Sequence, residues 1–310
     1  MKCKDRESRR AFLTGSVAGM VAAGLNAEAH EPSGSEVTAL PEERGSGDML
    51  IAVVQQDGNP GRPEENLPKA LEFAGVALSR GADIVLFHEE LLVGYSAHFK
   101  RLAEPVDGVT TRAFQKTLAG SDSLVIYGLT ERDGEDYYIS APVVSANGVL
   151  ANYRKTHLWW QAEGLRHEPS FYRPGDRLVT FQHKGHRCGI MICYDGDFPE
   201  MTRAYANRGC EIVFWLNNRE SRGHGEVRDL ANRNSMIMAT SCCCGLNEEG
   251  QICRGGSNIT DADGRLLREI WDEEGLIVAE VSPEKVPDLR QNNPWYRGQR
   301  PDLYYRGIEE

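Results

Sequence analysis

The chain reads as an α/β domain in which mixed β-sheets are covered by helices. From Met49 onward, short apolar runs fit for buried strands alternate with segments of helical spacing. Other apolar runs are joined by two-residue turn signals of the kind that link antiparallel strands. Neither an internal repeat nor a second composition regime interrupts this pattern until about Pro283. One domain over residues 49–282 follows, with 283–310 as a C-terminal tail available for an oligomer contact.

Taken in order, Leu50 to Gln55 is a compact apolar run and hence a buried strand. Leu67, Ala70, Leu71, Ala74, Ala77 and Leu78 recur at helical spacing, and Gly81 stops that helix. Ile84 to Phe87 is a second buried strand. Leu124 to Thr130 and Tyr137 to Val144 flank Asp133-Gly134, and Asn147-Gly148 leads into Val149 to Arg154, so both read as hairpins. Leu178 to Gln182, Cys188 to Ile192 and Ile212 to Leu216 are strands, with a helix from about Pro199 to Arg208 ended by Gly209. Late strands fall near Met236 to Cys243, Ser257 to Thr260 and Leu276 to Glu280.

Composition narrows the function classes. A net charge of −11, spread along 310 residues, disfavours nucleic-acid or anionic-membrane partners, which want a basic face. Eight cysteines in a chain of this length do not form a disulfide scaffold, and the contiguous Cys242 to Cys244 read as small buried thiols.

The N-terminus reads as an address. Ser8-Arg9-Arg10-Ala11-Phe12-Leu13 is a twin-arginine pattern, followed by an apolar stretch from Ala11 to Leu25 and by Ala27-Glu28-Ala29, an A-x-A cleavage site. This stretch of 15 residues falls short of a bilayer-spanning helix. Residues 1–29 resemble a Tat-type signal peptide, which implies export of the folded protein to the periplasm or beyond, with no membrane attachment after its removal. Residues 30–48, rich in Glu, Ser, Gly and Pro, read as a flexible linker.

Three apolar strands end in a reactive polar residue: Phe87-His88-Glu89-Glu90, Tyr153-Arg154-Lys155 and Ile190-Met191-Ile192-Cys193. Ligands in α/β sheets gather at the carboxyl ends of strands. Acyl transfer from nitrogen needs a thiolate to attack carbon, a carboxylate to take and return the proton, and a cation to hold the oxyanion. Singly, each residue has a plain explanation as a core Cys, a solvated Glu or a surface Lys.

The flanking segments are more specific. Gly81 to Glu89 followed by Gly94-Tyr95 resembles the glutamate segment of the nitrilase, or carbon–nitrogen hydrolase, superfamily. Tyr153-Arg154-Lys155-Thr156-His157-Leu158 resembles its lysine segment, and Cys193-Tyr194-Asp195-Gly196-Asp197-Phe198-Pro199-Glu200 its nucleophile segment. Weaker matches run from about Leu50 to Glu280, including Phe171 to Asp176 and Gly255-Gly256-Ser257. The resemblance implies an α-β-β-α sandwich of two mixed β-sheets, a homodimer or larger homo-oligomer, a small-molecule substrate, and no metal or cofactor. Carried over by position, it makes Glu89 the general base and acid, Lys155 the oxyanion stabiliser and Cys193 the nucleophile. The Tyr194 N–H becomes a second oxyanion donor. A second, positioning glutamate matches Glu168, with Glu163 as the alternative. His88 departs from the pattern, which usually has Pro there.

The implied reaction is hydrolysis of a non-peptide carbon–nitrogen bond in a small linear amide or carbamoyl compound through a Cys193 thioester, with nitrile hydrolysis as the alternative on the same site. A catalytically inactive binding protein of this fold is a second class, opposed by the intact trio. A magnesium-dependent phosphatase of the haloacid dehalogenase type, using Asp195 and Asp197, leaves Cys193, Glu89 and Lys155 unexplained. His183, His186 and Cys188 have loose metal-like spacing, but Lys184-Gly185 between them reads as a hairpin turn.

Substrate charge rests on Asp197. Relatives acting on carboxylate-bearing substrates commonly place Arg four residues after the nucleophile, where this chain has Asp197. It is expected either to repel a substrate carboxylate or to cap the helix beginning near Pro199. With Glu89, Glu168 and Asp195 nearby, the expected pocket is negative apart from Lys155. Trp159, Trp160 and Trp215 are expected to supply aromatic walls.

Overall fold

The computed structural model describes residues 45, 47–160, 163–219 and 224–304. The twin-arginine segment, the A-x-A site and nearly all of the linker therefore lie outside the described residues. The first half of the chain forms β1 (Met49–Gln55), β2 (Ile84–Leu86), β3 (Leu124–Ile126), β4 (Leu129–Asp133), β5 (Asp136–Ser145) and β6 (Gly148–Arg154). The second half forms β7 (Thr180–His183), β8 (His186–Ile192), β9 (Ile212–Asn217), β10 (Ile237–Cys242) and β11 (Cys244–Leu246). It continues with β12 (Ile252–Thr260), β13 (Leu266–Trp271) and β14 (Gly275–Val281). The main helices are α1 (Pro63–Ser79), α2 (Phe99–Leu102), α3 (Val109–Thr117), α4 (Pro199–Asn207), α5 (His224–Asn234) and α6 (Val286–Asn292).

One sheet has the order β14-β1-β2-β3-β5-β4, with β6 on the free side of β5; it is parallel at β1-β2-β3 and antiparallel elsewhere. The other has the order β11-β12-β10-β9-β8-β7, with β13 on β12, and is parallel at β8-β9-β10. Strands β1, β9 and β10 are buried at every position, which is why they read as unbroken apolar runs. Polar bonds cross between the sheets: Ser241 Oγ donates to the Val54 carbonyl at 2.6 Å, and Ser257 Oγ donates to Gln55 Oε1 at 2.9 Å. Helices α1 and α3 lie on the first sheet, and α4 and α5 on the second, completing an α-β-β-α sandwich. The fit of α4 is close: a Cβ on Gly189 of β8 would come within 2.6 Å of the Tyr205 ring.

Three local details differ from the sequence reading. The run from Leu124 to Thr130 is two collinear strands, β3 and β4, both pairing with β5. Tyr127-Gly128 interrupts them because the loop after β2 enters there: Gly128 N–H donates to the His88 carbonyl, and Leu91 N–H donates to the Gly128 carbonyl. A Cβ on Gly128 would lie 2.2 Å from the Glu90 nitrogen, so only glycine lets the loop pass. The β5–β6 turn is Ala146-Asn147, because Gly148 already pairs with Ser145. Residues 283–297 fold back onto the second sheet's helices. There the buried Arg290 donates to the carbonyls of Asn234, Ser235, Ala206 and Cys210. The turn between β7 and β8 is Lys184-Gly185, both at positive φ. Among the described residues no helix is long and apolar enough to cross a membrane.

Candidate active site

The sandwich places strand ends from both sheets around one buried cluster. Glu89 follows β2 and Lys155 follows β6 in one sheet; Cys193 follows β8 and residues 217–219 end and follow β9 in the other. Lys155 Nζ donates to Glu89 Oε1 at 2.9 Å and to Glu168 Oε1 at 2.6 Å, with all three side chains fully buried. Glu89 Oε2 accepts from the Asn218 N–H at 2.9 Å, and the Cys193 side chain is close enough to Glu89 to help offset its burial. Glu168 is held by Tyr95 OH at 2.7 Å and by the Trp159 N–H at 2.7 Å. The fold thus brings Glu168 to the lysine, while Glu163 is exposed.

Burial and pairing act against each other in the cluster. Burial pushes the Glu89 carboxyl upward, opposed by Lys155. Burial alone would lower Lys155, but Glu168 and then Glu89 outweigh it and hold its ammonium well above the usual range. A buried ion in such a triad is tolerable only because each charge is paired. Burial also pushes the Cys193 thiol up to about 11. A carboxylate in its ionised form beside a thiol can take the thiol proton, and the ammonium next to it can hold an oxyanion.

Cys193 stands at φ +45°, in the left-handed region that non-glycine residues rarely adopt. Two residues hold it there. Trp215 Nε1–H donates to the Cys193 carbonyl at 3.1 Å, and Asp195 Oδ2 accepts the Ile192 N–H at 2.9 Å. A Cβ on Gly196 would lie 1.9 Å from Trp215, so the indole occupies the space under the turn. Trp215 is therefore a buried support, contrary to the expectation of a pocket wall.

Asp195 is likewise a support. It accepts from Tyr153 OH at 2.7 Å, Thr156 Oγ1 at 3.0 Å and the His157 N–H at 2.9 Å, tying the cysteine turn to the segment after Lys155. Both its oxygens are filled by protein donors, which removes the ground for a magnesium-binding pair with Asp197 and for counting Asp195 as pocket charge. Asp197 does not occupy the α4 cap position, which is Phe198. Instead it pairs with Arg219, whose Nη1 lies 3.2 Å from Asp197 Oδ1. Trp159 packs edge-on to Tyr194, with ring centroids 4.9 Å apart, and Tyr194 meets Phe198 at 5.1 Å, so three aromatic rings cluster around the residue that follows the cysteine. Trp160 is 59% exposed.

Sequence reasoning missed Arg219 and Asn218. Arg219 Nε–H donates to Cys193 Sγ at 3.1 Å, so a second cation stands at the thiol and the cluster is less negative than expected. Its signal was present: Asn217-Asn218-Arg219 closes the apolar strand β9 as Glu89, Lys155 and Cys193 follow theirs. His88 is fully buried, its Nδ1 2.9 Å from the Glu89 carbonyl, and burial lowers its pKa to about 4, so it is a neutral spacer in the glutamate loop.

A carbon–nitrogen hydrolase family profile matches residues 50–291. The chain belongs to the carbon–nitrogen hydrolase family. An (R)-stereoselective amidase of a Pseudomonas species is 30% identical over 81% of this chain and 92% of its own length. The human omega-amidase NIT2 is 29% identical over 77% of this chain and 91% of its own. Among solved structures, an amidase from Nesterenkonia sp. AN1, carrying acrylamide added at its active-site cysteine, superposes with a TM-score of 0.68 at 25% identity. That match covers 79% of this chain and 97% of the other. The family assignment and this company of amidases make the chain a cysteine-dependent amidohydrolase of non-peptide carbon–nitrogen bonds.

Proposed function

We propose that the protein hydrolyses a small linear amide or carbamoyl compound, with Cys193 as nucleophile, Glu89 as general base and acid, and Lys155 as oxyanion stabiliser. The observation that carries this reading is the buried Glu89–Lys155–Glu168 triad beside the Cys193 thiol. Glu89 removes the thiol proton, sulfur attacks the carbonyl carbon, and the oxyanion draws on Lys155 and the Tyr194 N–H. Glu89 then protonates the leaving nitrogen, ammonia or amine departs, and a Glu89-activated water cleaves the thioester. Glu168 acts by orienting Lys155. The aromatic cluster of Trp159 and Tyr194 supports an apolar body in the substrate. Export by the twin-arginine segment and assembly into a homo-oligomer belong to the same proposal.

The test is ammonia release from a panel of short amides and carbamoyl amines. Cys193→Ala is expected to reduce turnover on the order of 10⁴-fold or more with the fold intact, and Glu89→Gln and Lys155→Met to act alike. Full activity in Cys193→Ala would refute the assignment. Because Glu89 must be ionised to accept the proton and burial raises its pKa, the acid limb of kcat/KM is expected above 4.5, glutamate's ordinary value. An acid limb at or below that value would contradict Glu89 as the base.

A further inference from the structure

Arg219 lies outside the glutamate, lysine and cysteine segments, yet it touches the reacting sulfur. Its Nε–H donates to Cys193 Sγ at 3.1 Å, and its Nη1–H donates to Asp197 Oδ1 at 3.2 Å. Its guanidinium carbon stands 5.9 Å from the Trp215 ring centroid, and the side chain is only 18% exposed. Two anchors, Asp197 and Trp215, therefore hold one edge of a guanidinium against the thiol. We propose that Arg219 is a further catalytic residue of this site, a thiolate-binding cation that serves both half-reactions at Cys193. This rests on the reading of Cys193 as the nucleophile.

The surroundings of the sulfur leave this task to Arg219. Lys155 is already shared by Glu89 and Glu168, and both carboxylates disfavour a thiolate. Tyr95 faces the cluster with a hydroxyl committed to Glu168. Around Arg219 itself stand Asp197, Glu89 and the Cys242 thiol, whose Sγ is 3.4 Å from the Arg219 carbonyl. Burial is the dominant force raising the Cys193 thiol, and Arg219 is the largest force opposing it.

In the first half-reaction the S–H bond breaks, its proton goes to Glu89, a sulfur–carbon bond forms, and the carbon–nitrogen bond breaks as Glu89 protonates the nitrogen. In the second, water gives a proton to Glu89 and its oxygen bonds to carbon. The carbon–sulfur bond then breaks, and sulfur departs with its electron pair and regains a proton from Glu89. Arg219 holds the anionic sulfur at both ends of the cycle. For a thiol ionising above ambient pH, lowering its pKa raises the thiolate fraction tenfold per unit. It sacrifices only about half that exponent in nucleophilicity and speeds departure of the thiolate.

The experiment compares wild type, Arg219→Met and Arg219→Lys, each with native circular dichroism. Alkylation of Cys193 by iodoacetamide is followed by mass spectrometry of its peptide from neutral to alkaline pH. In Arg219→Met the alkylation midpoint is expected to rise by about one unit or more and kcat to fall about tenfold or more, with Arg219→Lys recovering part of both. Coincident alkylation profiles for wild type and Arg219→Met would overturn the proposal, whatever happens to turnover. Failure of the underlying reading shows differently, as amide hydrolysis that survives Cys193→Ala.

Discussion

At the edge of the thiol the Asp197 carboxylate and the Arg219 guanidinium meet at 3.2 Å, with Asp197 34% exposed. A pair of this kind does two things to an incoming substrate. It cancels most of the charge that either residue would present alone, and it occupies the guanidinium face that a substrate carboxylate would seek. Short amides ending in methyl, amine or carboxylate are therefore expected to separate in wild type against the carboxylate. Asp197→Asn removes the charge that occupies Arg219 Nη1 and is expected to move kcat/KM toward the carboxylate substrate by about fivefold, the scale of one partly exposed charge pair at about 1 kcal/mol. Equal losses on all three substrates would instead mark Asp197 as a support for the turn. The sequence allowed two meanings for Asp197, repulsion or capping, because neither depends on a distant residue. The pairing seen depends on the β8–β9 register, in which Ile192 lies opposite Leu216 and so brings residues after 217 alongside the cysteine turn. That register is a non-local fact, and without it the strand-end position of Arg219 did not tie it to the cysteine, while Glu89, Lys155 and Cys193 were legible from their own segments.

Among the elements, those whose every position is buried were the easiest to read, since β1, β9 and β10 are plain apolar runs bounded by polar residues. Helix α3 was not legible because two of its buried positions are threonines. Thr110 bonds Glu104, and Thr111 lies 2.8 Å from Tyr127 OH, so hydroxyls take the place of an apolar stripe. Helix α6 carries its meaning in one residue. Arg290 satisfies carbonyls at the ends of α4 and α5 and so locks the C-terminal segment to the helices covering the second sheet. Arg290→Met keeps the aliphatic stem but leaves those carbonyls without their charged donor. It is expected to lower unfolding free energy by about 3 kcal/mol, with α6 becoming protease-sensitive first. A loss below about 0.5 kcal/mol in denaturant titration would show that water replaces the guanidinium readily.

For the molecule as a whole, the seven cysteines among the described residues are all free and all buried, including Cys242 to Cys244 in the seam between the sheets. Such a chain is vulnerable while unfolded, when the nucleophile and six other thiols meet any oxidant together, and far less so once folded. The proposed export after folding would resolve that conflict, and the N-terminal Arg9-Arg10 segment with Ala27-Glu28-Ala29 resembles the address such a route reads. Under that proposal, loss of residues 1–29 would remove five basic and three acidic residues and leave a net charge of −13. A fusion of residues 1–35 to a reporter that works only when folded before transport is expected to appear outside the cytoplasm. Replacing Arg9 and Arg10 by Lys is expected to keep it inside, since lysine retains the positive charge and loses only the guanidinium pair. Retention with both arginines intact would remove the export proposal. Equal export of the arginine and lysine versions would point instead to a general secretory signal, under which the enzyme's thiols would have to survive crossing unfolded.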